Sequence, residues 1–260
     1  MKIPFLFRFL TFLTLASLAA VPSASAQLVH LDFADGVFTN KGSLGGDAED
    51  RQAAEGDKTG KIEVSQDSLT RKWSALFVMA ANGTQGAHLA IPGSENALRL
   101  DKAEEEMSAS FWIKWQGPDK HSNSAQTIIT NVEIAEGGIQ KGWSVDVLED
   151  GKISFYWCRA ASGGCRRSSK LEIQPGEWHH VAVTWSNASR EGLRFYLDGQ
   201  PVESDQKYTG GGPVAKSSGE ILVGCGISYL PINGALADFR LYDRALDSEE
   251  IVKLSQQGKP

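Results

Sequence analysis

The feature that most constrains the fold of this sequence is a series of short segments in which apolar and polar residues alternate. In residues 108–115, for example, Ala109, Phe111, Ile113 and Trp115 all fall on one face. This two-residue period is that of a β-strand with one face buried. Comparable segments, separated by turn residues, recur along the chain at the roughly 8–12-residue spacing that is typical of a β-sandwich or barrel. The pattern therefore predicts an all-β domain.

Two Asp-Gly pairs, at positions 150–151 and 198–199, lie between such alternating segments. An Asp-Gly pair supplies the positive φ angles that a two-residue hairpin turn requires. A further strand is predicted at residues 235–242, with Ala237, Phe239 and Leu241 on one side. The strands are therefore expected to pair largely as antiparallel neighbours.

One short helix is predicted at the C-terminal end. Asp247 is placed to cap it, and Glu250, three residues later, completes a capping box. Ile251 and Leu254 are expected to dock on the sandwich, and Gly258 to end the helix.

Residues 1–26 are predicted to be a secretory signal peptide. Lys2 and Arg8 make a basic start, a short apolar run follows, and small residues precede a cleavage site between Ala26 and Gln27. An uncleaved membrane anchor is the alternative, but the apolar run is short for a bilayer span. We therefore expect residues 27–260 to form one exported domain, in the periplasm or outside the cell, and no other segment is apolar enough to span a membrane.

The charge balance argues against two classes of partner. The chain has 26 basic and 32 acidic residues, and cleavage would remove two basic residues and no acidic one, leaving a net charge of −8. An acidic chain without an extended basic patch is a poor match for nucleic acid or anionic lipid. The number of subunits is left open by the sequence.

Three cysteines follow the signal peptide: Cys158, Cys165 and Cys225. An exported protein can carry disulfides. Cys158 and Cys165 flank a short glycine-containing loop, so we expect a disulfide between them, although pairing of Cys225 with either one stays open. The spacing does not suit zinc.

Three longer stretches carry a family resemblance, and their order and spacing fit it as well. They are MSASFWIKW at 107–115, GEWHHVAVTW at 176–185 continued by LRFYLDGQ at 193–200, and NGALADFRLYDRAL at 233–246 continued by DSEEI. They resemble the laminin-G-like jelly-roll family of the concanavalin A-like lectin and glucanase superfamily. The resemblance implies a two-sheet antiparallel jelly-roll β-sandwich with one short C-terminal helix over residues 27–260.

The residues that carry this resemblance are those expected to make the fold. Trp178 and Trp185 are interpreted as anchors of the core between the sheets. Asp238 is interpreted as a hydrogen-bond partner of nearby backbone where the chain enters the last strand. The resemblance therefore implies architecture and not an activity.

Catalytic residues are not recognisable in the sequence. Glucanases of the superfamily carry a Glu-x-Asp-x-x-Glu strand, since glycoside hydrolysis needs paired carboxyl groups. The nearest approach here is Asp146, Glu149 and Asp150, of which the last two lie at a turn. His179 and His180 are adjacent on a strand, so they point to opposite faces and are interpreted as structural. We therefore predict a protein that is not an enzyme.

No cofactor or metal is predicted. Pentraxins, which are relatives, hold calcium with acidic residues in the loop before the last strands, but the corresponding loop here, residues 225–233, has no Asp or Glu. A different calcium site using Asp32, Asp35 or Asp238 is conceivable but has no support in the sequence.

Two loops are the best candidates for a ligand-binding rim. One contains Tyr229, and the other contains Arg159, Arg166 and Arg167 beside the expected disulfide. Ordered loops lose less entropy when a ligand binds. The sequence therefore predicts a non-catalytic binding module for a glycan or a cell-surface protein. The alternatives are a structural or adhesive protein without a small ligand, and an enzyme that acts on polysaccharide through an unrecognised site.

Overall fold

The computed structural model describes residues 27–51, 60–78, 86–118, 125–159, 163–186, 192–205, 214–226 and 230–260. Residues 1–26, with the predicted signal peptide, and Tyr229 lie outside these ranges, as does the side chain of Asp35. No helix in these ranges is both long enough and apolar enough to cross a membrane.

The described chain is mostly β-structure, as the alternating pattern predicts. In chain order, the strands and the one α-helix are β1 (Gln27–Leu31), β2 (Glu49–Arg51), β3 (Lys61–Gln66), β4 (Trp73–Val78), β5 (His88–Ile91), β6 (Glu106–Trp115), β7 (Gln126–Thr130), β8 (Glu133–Ile134), β9 (Gln140–Lys141), β10 (Trp143–Val147), β11 (Lys152–Arg159), β12 (Gly163–Glu172), β13 (Trp178–Ser186), β14 (Leu193–Leu197), β15 (Gln200–Val202), β16 (Ser204–Asp205), β17 (Ile221–Val223), β18 (Leu230–Pro231), β19 (Gly234–Tyr242) and α1 (Ser248–Ser255).

The strands form two large sheets that pack face to face. Sheet I has the order β15-β14-β13-β6-β19-β4-β3, and β1 also pairs with β19. Sheet II has the order β16-β12-β11-β10-β7-β17-β5-β2, with β18 parallel to β7. The short strands β8 and β9 form a separate hairpin. This confirms the predicted two-sheet antiparallel jelly-roll sandwich.

The core lies between the two sheets and is rich in aromatic rings. All four residues that the alternation assigns to one face of β6 are buried in it. The ring of Phe155 on β11 stacks on Trp185 of β13 in the opposite sheet, with centroids 5.2 Å apart, and on Trp143 of the neighbouring strand β10 at 5.9 Å. Aromatic pairs at these distances add to the free energy gained from burial.

Both Asp-Gly turns form the hairpins that the sequence predicts. Gly151, at φ 83°, connects β10 to β11. Asp198 and Gly199, at φ 51° and 80°, connect β14 to β15, and two consecutive positive φ angles match the twist of the flanking strands.

Helix α1 carries the predicted capping box. The backbone N–H of Glu250 donates to Asp247 Oδ1 at 2.9 Å, and the backbone N–H of Asp247 donates to Glu250 Oε2 at 3.1 Å. Ile251 and Leu254 are buried against the outer face of sheet I, as expected. The predicted end of the helix is wrong, because α1 already ends at Ser255, with Gln256 as its C-cap, before Gly258.

Two strand-face assignments are also wrong. Trp178 pairs with Lys114, on the face of sheet I that points away from the core, whereas Trp185 is buried in the core as predicted. In β19 the register shifts after Ala237, where Asp238 adopts a left-handed conformation with φ 46°. This β-bulge turns Ala237 outward while Phe239 remains in the core, which alternation alone does not predict.

The structure has no disulfide between Cys158 and Cys165, which the sequence predicted, and both residues are buried. Cys165 pairs across the strands with Trp157, and Cys158 pairs with Gly164. Directly opposite residues share a face and neighbours alternate, so the two thiols lie on opposite faces of sheet II. A disulfide between them would require a different register.

Candidate functional site

The outer face of sheet II carries a cluster of polar side chains, here called the polar face. In β10 and β11, Val145 and Phe155 point into the core, so the intervening polar residues point outward. The members of the polar face come from four adjacent strands and are Thr127, Thr130, Ser144, Asp146, Ser154, Tyr156 and Arg166.

Asp146 lies at the centre of the polar face and is completely buried. Thr127 Oγ1 donates to Asp146 Oδ1 at 3.1 Å, and Ser144 Oγ donates to Oδ2 at 3.0 Å. A guanidinium nitrogen of Arg166 lies 3.3 Å from the same Oδ2. Burial raises the pKa of Asp146 to about 6, and this effect outweighs the charge of Arg166 and the two hydroxyl hydrogen bonds, which lower it.

Arg166 is held from three sides and still reaches solvent. Its Nη1 donates to Ser154 Oγ at 3.3 Å, and its Cζ lies 5.4 Å from the centre of the Tyr156 ring. The Tyr156 hydroxyl in turn donates to Gln140 Oε1 at 3.0 Å. The Arg166 side chain remains 21% exposed. The guanidinium is therefore an oriented donor at the surface of an otherwise buried network.

Gly164 makes room for this arrangement. It lies on β12 beside Tyr156, and a Cβ atom built on it would come within 2.1 Å of the Tyr156 ring. Only glycine allows the ring to occupy its observed position beneath Arg166.

The arginines that the sequence analysis assigns to one ligand-binding rim do not lie together in the structure. Arg166 lies on the polar face, whereas Arg167 points to the other side of β12 and donates to Ser204 Oγ at 2.8 Å. Arg159 is half-buried at the end of β11. The rim formed by these residues and Tyr229 stays a prediction.

Sequence reasoning missed the roles of Asp146, Thr127, Ser144 and Tyr156 in this cluster. A signal was present, because WSVDV at 143–147 and ISFYW at 153–157 alternate between core residues and polar or aromatic ones. That signal predicts that these polar side chains point outward from the sheet. It does not predict that Arg166, from another strand, contacts Asp146 and Ser154.

The polar face presents hydrogen-bond donors and acceptors that are already paired with one another. In the part of the chain that the structure describes, the partners of Asp146 are two hydroxyls and a guanidinium, and none is a second carboxyl group. Glycoside hydrolysis uses two carboxyl groups flanking the scissile bond. The network is suited to holding donors and acceptors in fixed positions for a polar ligand.

The outer face of sheet I carries a pocket of about 430 Å³ beside the bulge in β19, here called the bulge pocket. Its lining residues are His30, Asp32, Ala34, Arg71, Lys72, Trp73, Asp238, Arg240, Gln257 and Gly258.

Asp238 forms an ion-paired network in this pocket. Its Oδ1 lies 2.8 Å from His30 Nε2 and 2.8 Å from Arg240 Nη2. Burial alone would raise the pKa of Asp238, but the His30 hydrogen bond and the Arg240 charge outweigh it and hold that pKa below its ordinary value. Within the described part of the chain, the hydrogen-bond partners of Asp238 are thus the side chains of His30 and Arg240, and not the nearby backbone that the sequence suggests.

Of the three acidic residues considered for calcium, Asp32 and Asp238 both line the bulge pocket, and each already has a cationic partner, whereas the side chain of Asp35 lies outside the described part of the chain. Asp32 pairs with Lys41, and Asp238 with Arg240. Among the described residues, no group of three or more His, Cys, Asp and Glu side chains is arranged to hold a metal ion. A calcium ion would have to displace these cations to gain its oxygen ligands.

His179 and His180 lie on opposite faces, as predicted. His180 Nε2 lies 3.0 Å from Ser110 Oγ, and burial lowers its pKa to about 4. His179 Nδ1 lies 2.9 Å from Asp198 Oδ2, and Asp198 Oδ1 accepts from the backbone N–H of His180 at 2.8 Å. Asp198 thus ties the β14–β15 turn to β13, and the ring of His180 ties β13 to β6.

Comparison with known protein families gives the same fold class as the structure. The sequence model of a laminin-G family, described as belonging to the concanavalin A-like lectin/glucanases superfamily, matches residues 82–252, about two thirds of the chain. The chain belongs to this superfamily. No curated protein sequence matches it significantly.

Solved structures with the same fold include binding domains from different proteins. Domain 4 of an extracellular arabinanase from Geobacillus stearothermophilus, in complex with arabinotriose, is 17% identical with a TM-score of 0.56, covering 89% of this chain and all of that domain. The binding domain of Paraclostridial Mosquitocidal Protein 1 is 15% identical with a TM-score of 0.60, covering 88% and 52%. The binding domain of botulinum neurotoxin DC, in complex with rat synaptotagmin II, is 15% identical with a TM-score of 0.55, covering 88% and 51%. The chain thus spans about half the length of the toxin domains.

Proposed function

We propose that this chain is an exported, non-catalytic recognition domain that binds a glycan through the polar face of sheet II. The observation that carries the proposal is the partly exposed Arg166 guanidinium, held by Asp146 and Ser154 and stacked on Tyr156. A saccharide offers many hydroxyl groups that accept from such a donor. The network is already ordered, so little entropy is lost when the ligand binds.

Tyr156 adds a second element of sugar recognition. Its side chain is half-buried, and its aromatic body can contact the apolar C–H groups of a sugar ring while the hydroxyl stays bonded to Gln140. The arabinanase domain, a structural neighbour, is described in complex with arabinotriose, which is in keeping with a glycan ligand for this fold.

A protein partner is the second candidate, and a specific surface favours it. Ile134 and Ile139, in and beside the β8–β9 hairpin, are 50% and 53% exposed. This hairpin also contains Gln140, the acceptor of the Tyr156 hydroxyl, so the apolar tip adjoins the polar face. Exposed apolar residues next to oriented polar groups are common at protein interfaces.

A glycan array with purified protein, in the presence and absence of calcium, tests the first proposal. Arg166→Ala should weaken any detected binding by about tenfold or more, because it removes a charge-assisted donor. The matched control is Arg194→Ala, which removes an exposed arginine from sheet I.

Binding that survives Arg166→Ala, or that falls equally with the control, would show that the polar face is not the site. Ile134→Ser combined with Ile139→Ser should leave glycan binding unchanged, but should abolish capture if the ligand is a protein. Turnover of pooled polysaccharides that disappears with Asp146→Asn would instead identify an enzyme.

Export is part of the proposal and is tested separately. The N-terminal sequence of protein collected outside the cytoplasm should begin at Gln27. A chain that retains Lys2 and Arg8 in that fraction would contradict cleavage after Ala26.

A further inference from the structure

The bulge pocket lies on the opposite side of the sandwich from the polar face. One wall is the bulge at Asp238 in β19, and another is the C-terminal segment, where Gly258 approaches Asp238 so closely that a Cβ would lie 2.3 Å from its Oδ2. A third wall is the turn between β3 and β4, which contributes Arg71 and Lys72, together with Trp73 at the start of β4. The pocket volume of about 430 Å³ is within the range of small-ligand sites.

The charges in the bulge pocket do not cancel. Asp238 is paired with Arg240, and Asp32 is paired with Lys41. Arg71 and Lys72 are exposed, and neither forms an ion pair with any residue in the described ranges. The pocket therefore presents two cations that have no carboxylate partner among the described residues, in a chain whose overall charge is negative.

The two cations are presented by an ordered turn. Asp67 Oδ1 accepts from the backbone N–H groups of Leu69 and Thr70 at 2.9 and 2.7 Å. The backbone N–H of Arg71 donates to Asp67 O at 3.0 Å, and that of Asp67 donates to Lys72 O at 2.9 Å. Arg71 has a positive φ of 58°, which this hydrogen-bonded turn maintains. The backbone beneath both cations is thus fixed before a ligand arrives.

Trp73 supplies an apolar surface next to the cations. It begins β4, packs partly against the core and remains partly exposed at the pocket. A ligand that satisfies both features has an anionic group for Arg71 and Lys72 and an apolar ring face for Trp73. The planar guanidinium of Arg71 matches a carboxylate in particular, because it can donate two parallel hydrogen bonds.

We propose that the bulge pocket is a second binding site and that it takes a uronic acid residue of a saccharide. The carboxylate lies between Arg71 and Lys72, and the C–H face of the sugar ring lies against Trp73. This site goes beyond the proposed function, because it uses a different sheet, different residues and a charged ligand.

Titration calorimetry with methyl β-D-glucuronide and methyl β-D-glucoside tests the proposal, since the two probes differ in the carboxylate. The glucuronide should bind at least about tenfold more tightly, because charge-assisted hydrogen bonds contribute that factor or more. Its affinity should fall as salt is raised. The double variant Arg71→Gln/Lys72→Gln should lose this preference.

The control variant Arg194→Gln/Lys216→Gln removes the same charge from exposed positions outside the pocket and should bind the glucuronide like the original protein. Equal binding of the two probes, no binding of the glucuronide, or full binding by the Arg71→Gln/Lys72→Gln variant would overturn the proposal. So would displacement of the glucuronide by inorganic sulfate at the same affinity, since the sugar ring would then contribute nothing.

Arg166→Ala separates the two sites. It should leave glucuronide binding unchanged even if the polar face binds no glycan at all. If Arg166→Ala abolishes glucuronide binding, the probe occupies the polar face and the bulge pocket is not its site.

Discussion

The buried carboxyl group of Asp146 should make the stability of this fold depend on pH, and Asp146→Asn tests this. Burial raises the pKa of Asp146 from its ordinary value of 3.8 to about 6. The folded state therefore holds the proton more tightly than the unfolded state. The stability contributed by this proton is complete below pH 3.8 and is lost as the pH rises through the folded pKa.

The size of the effect follows from the shift. A pKa difference of about two units corresponds to roughly 3 kcal/mol over the whole titration. Between pH 5 and pH 8, the part that is lost is about 1.4 kcal/mol, since the unfolded chain is largely ionised already at pH 5. The asparagine side chain of the variant has nearly the same shape as aspartate and does not titrate. The free energy of unfolding of the variant, relative to the original protein, should therefore rise by about 1.4 kcal/mol from pH 5 to pH 8.

Urea unfolding at several pH values, followed by tryptophan fluorescence, measures this difference. His180 titrates in the opposite sense, because its lowered pKa of about 4 makes the fold less stable as the pH falls. That contribution is present in both proteins and cancels when they are compared at the same pH. Glu149→Gln, which removes an exposed carboxylate from the β10–β11 turn, is the control. Parallel stability curves for Asp146→Asn and the original protein would refute the reasoning, because they would mean that Asp146 does not hold its proton in the folded state.

Three further outcomes follow from the structure. Trp185→Ala should lower the free energy of unfolding by about 3–5 kcal/mol, because it leaves a cavity beside Phe155; a loss below about 1 kcal/mol would contradict its place in the core. Thiol titration in denaturant without reductant should find three free thiols per chain. A count of one would show that two of the cysteines form a disulfide. Asp247→Ala should lower the free energy of unfolding by about 1 kcal/mol, because it removes the capping box. Urea unfolding measures this change, and an unchanged urea midpoint would argue against that cap.

The elements that the sequence predicts well are those whose cause is local. The Asp198-Gly199 turn and the Asp247–Glu250 capping box each depend on residues within a few positions of one another. The buried face of β6 follows from a simple two-residue period. In each case the interaction that shapes the backbone is visible in consecutive letters of the sequence.

The wrong predictions share a different cause. The bulge at Asp238 inserts one residue and reverses the face of Ala237, although the apolar pattern there is uninterrupted. Cys158 and Cys165 are close in sequence, but the register of β11 against β12 puts them on opposite sides of sheet II. Register is set by contacts between strands, and a shift of one residue exchanges the two faces.

By itself, the sequence determined that the chain forms a β-sandwich and which residue types it can offer for binding. Only the tertiary structure decided which of these side chains contact one another. Thr127, Asp146 and Arg166 come from three strands, and they form one network because β7, β10, β11 and β12 are neighbours in sheet II. The physical reason is that a side chain's partners on a sheet are set by strand order and register, which depend on how the whole core packs, whereas strand formation depends on alternation within a few residues.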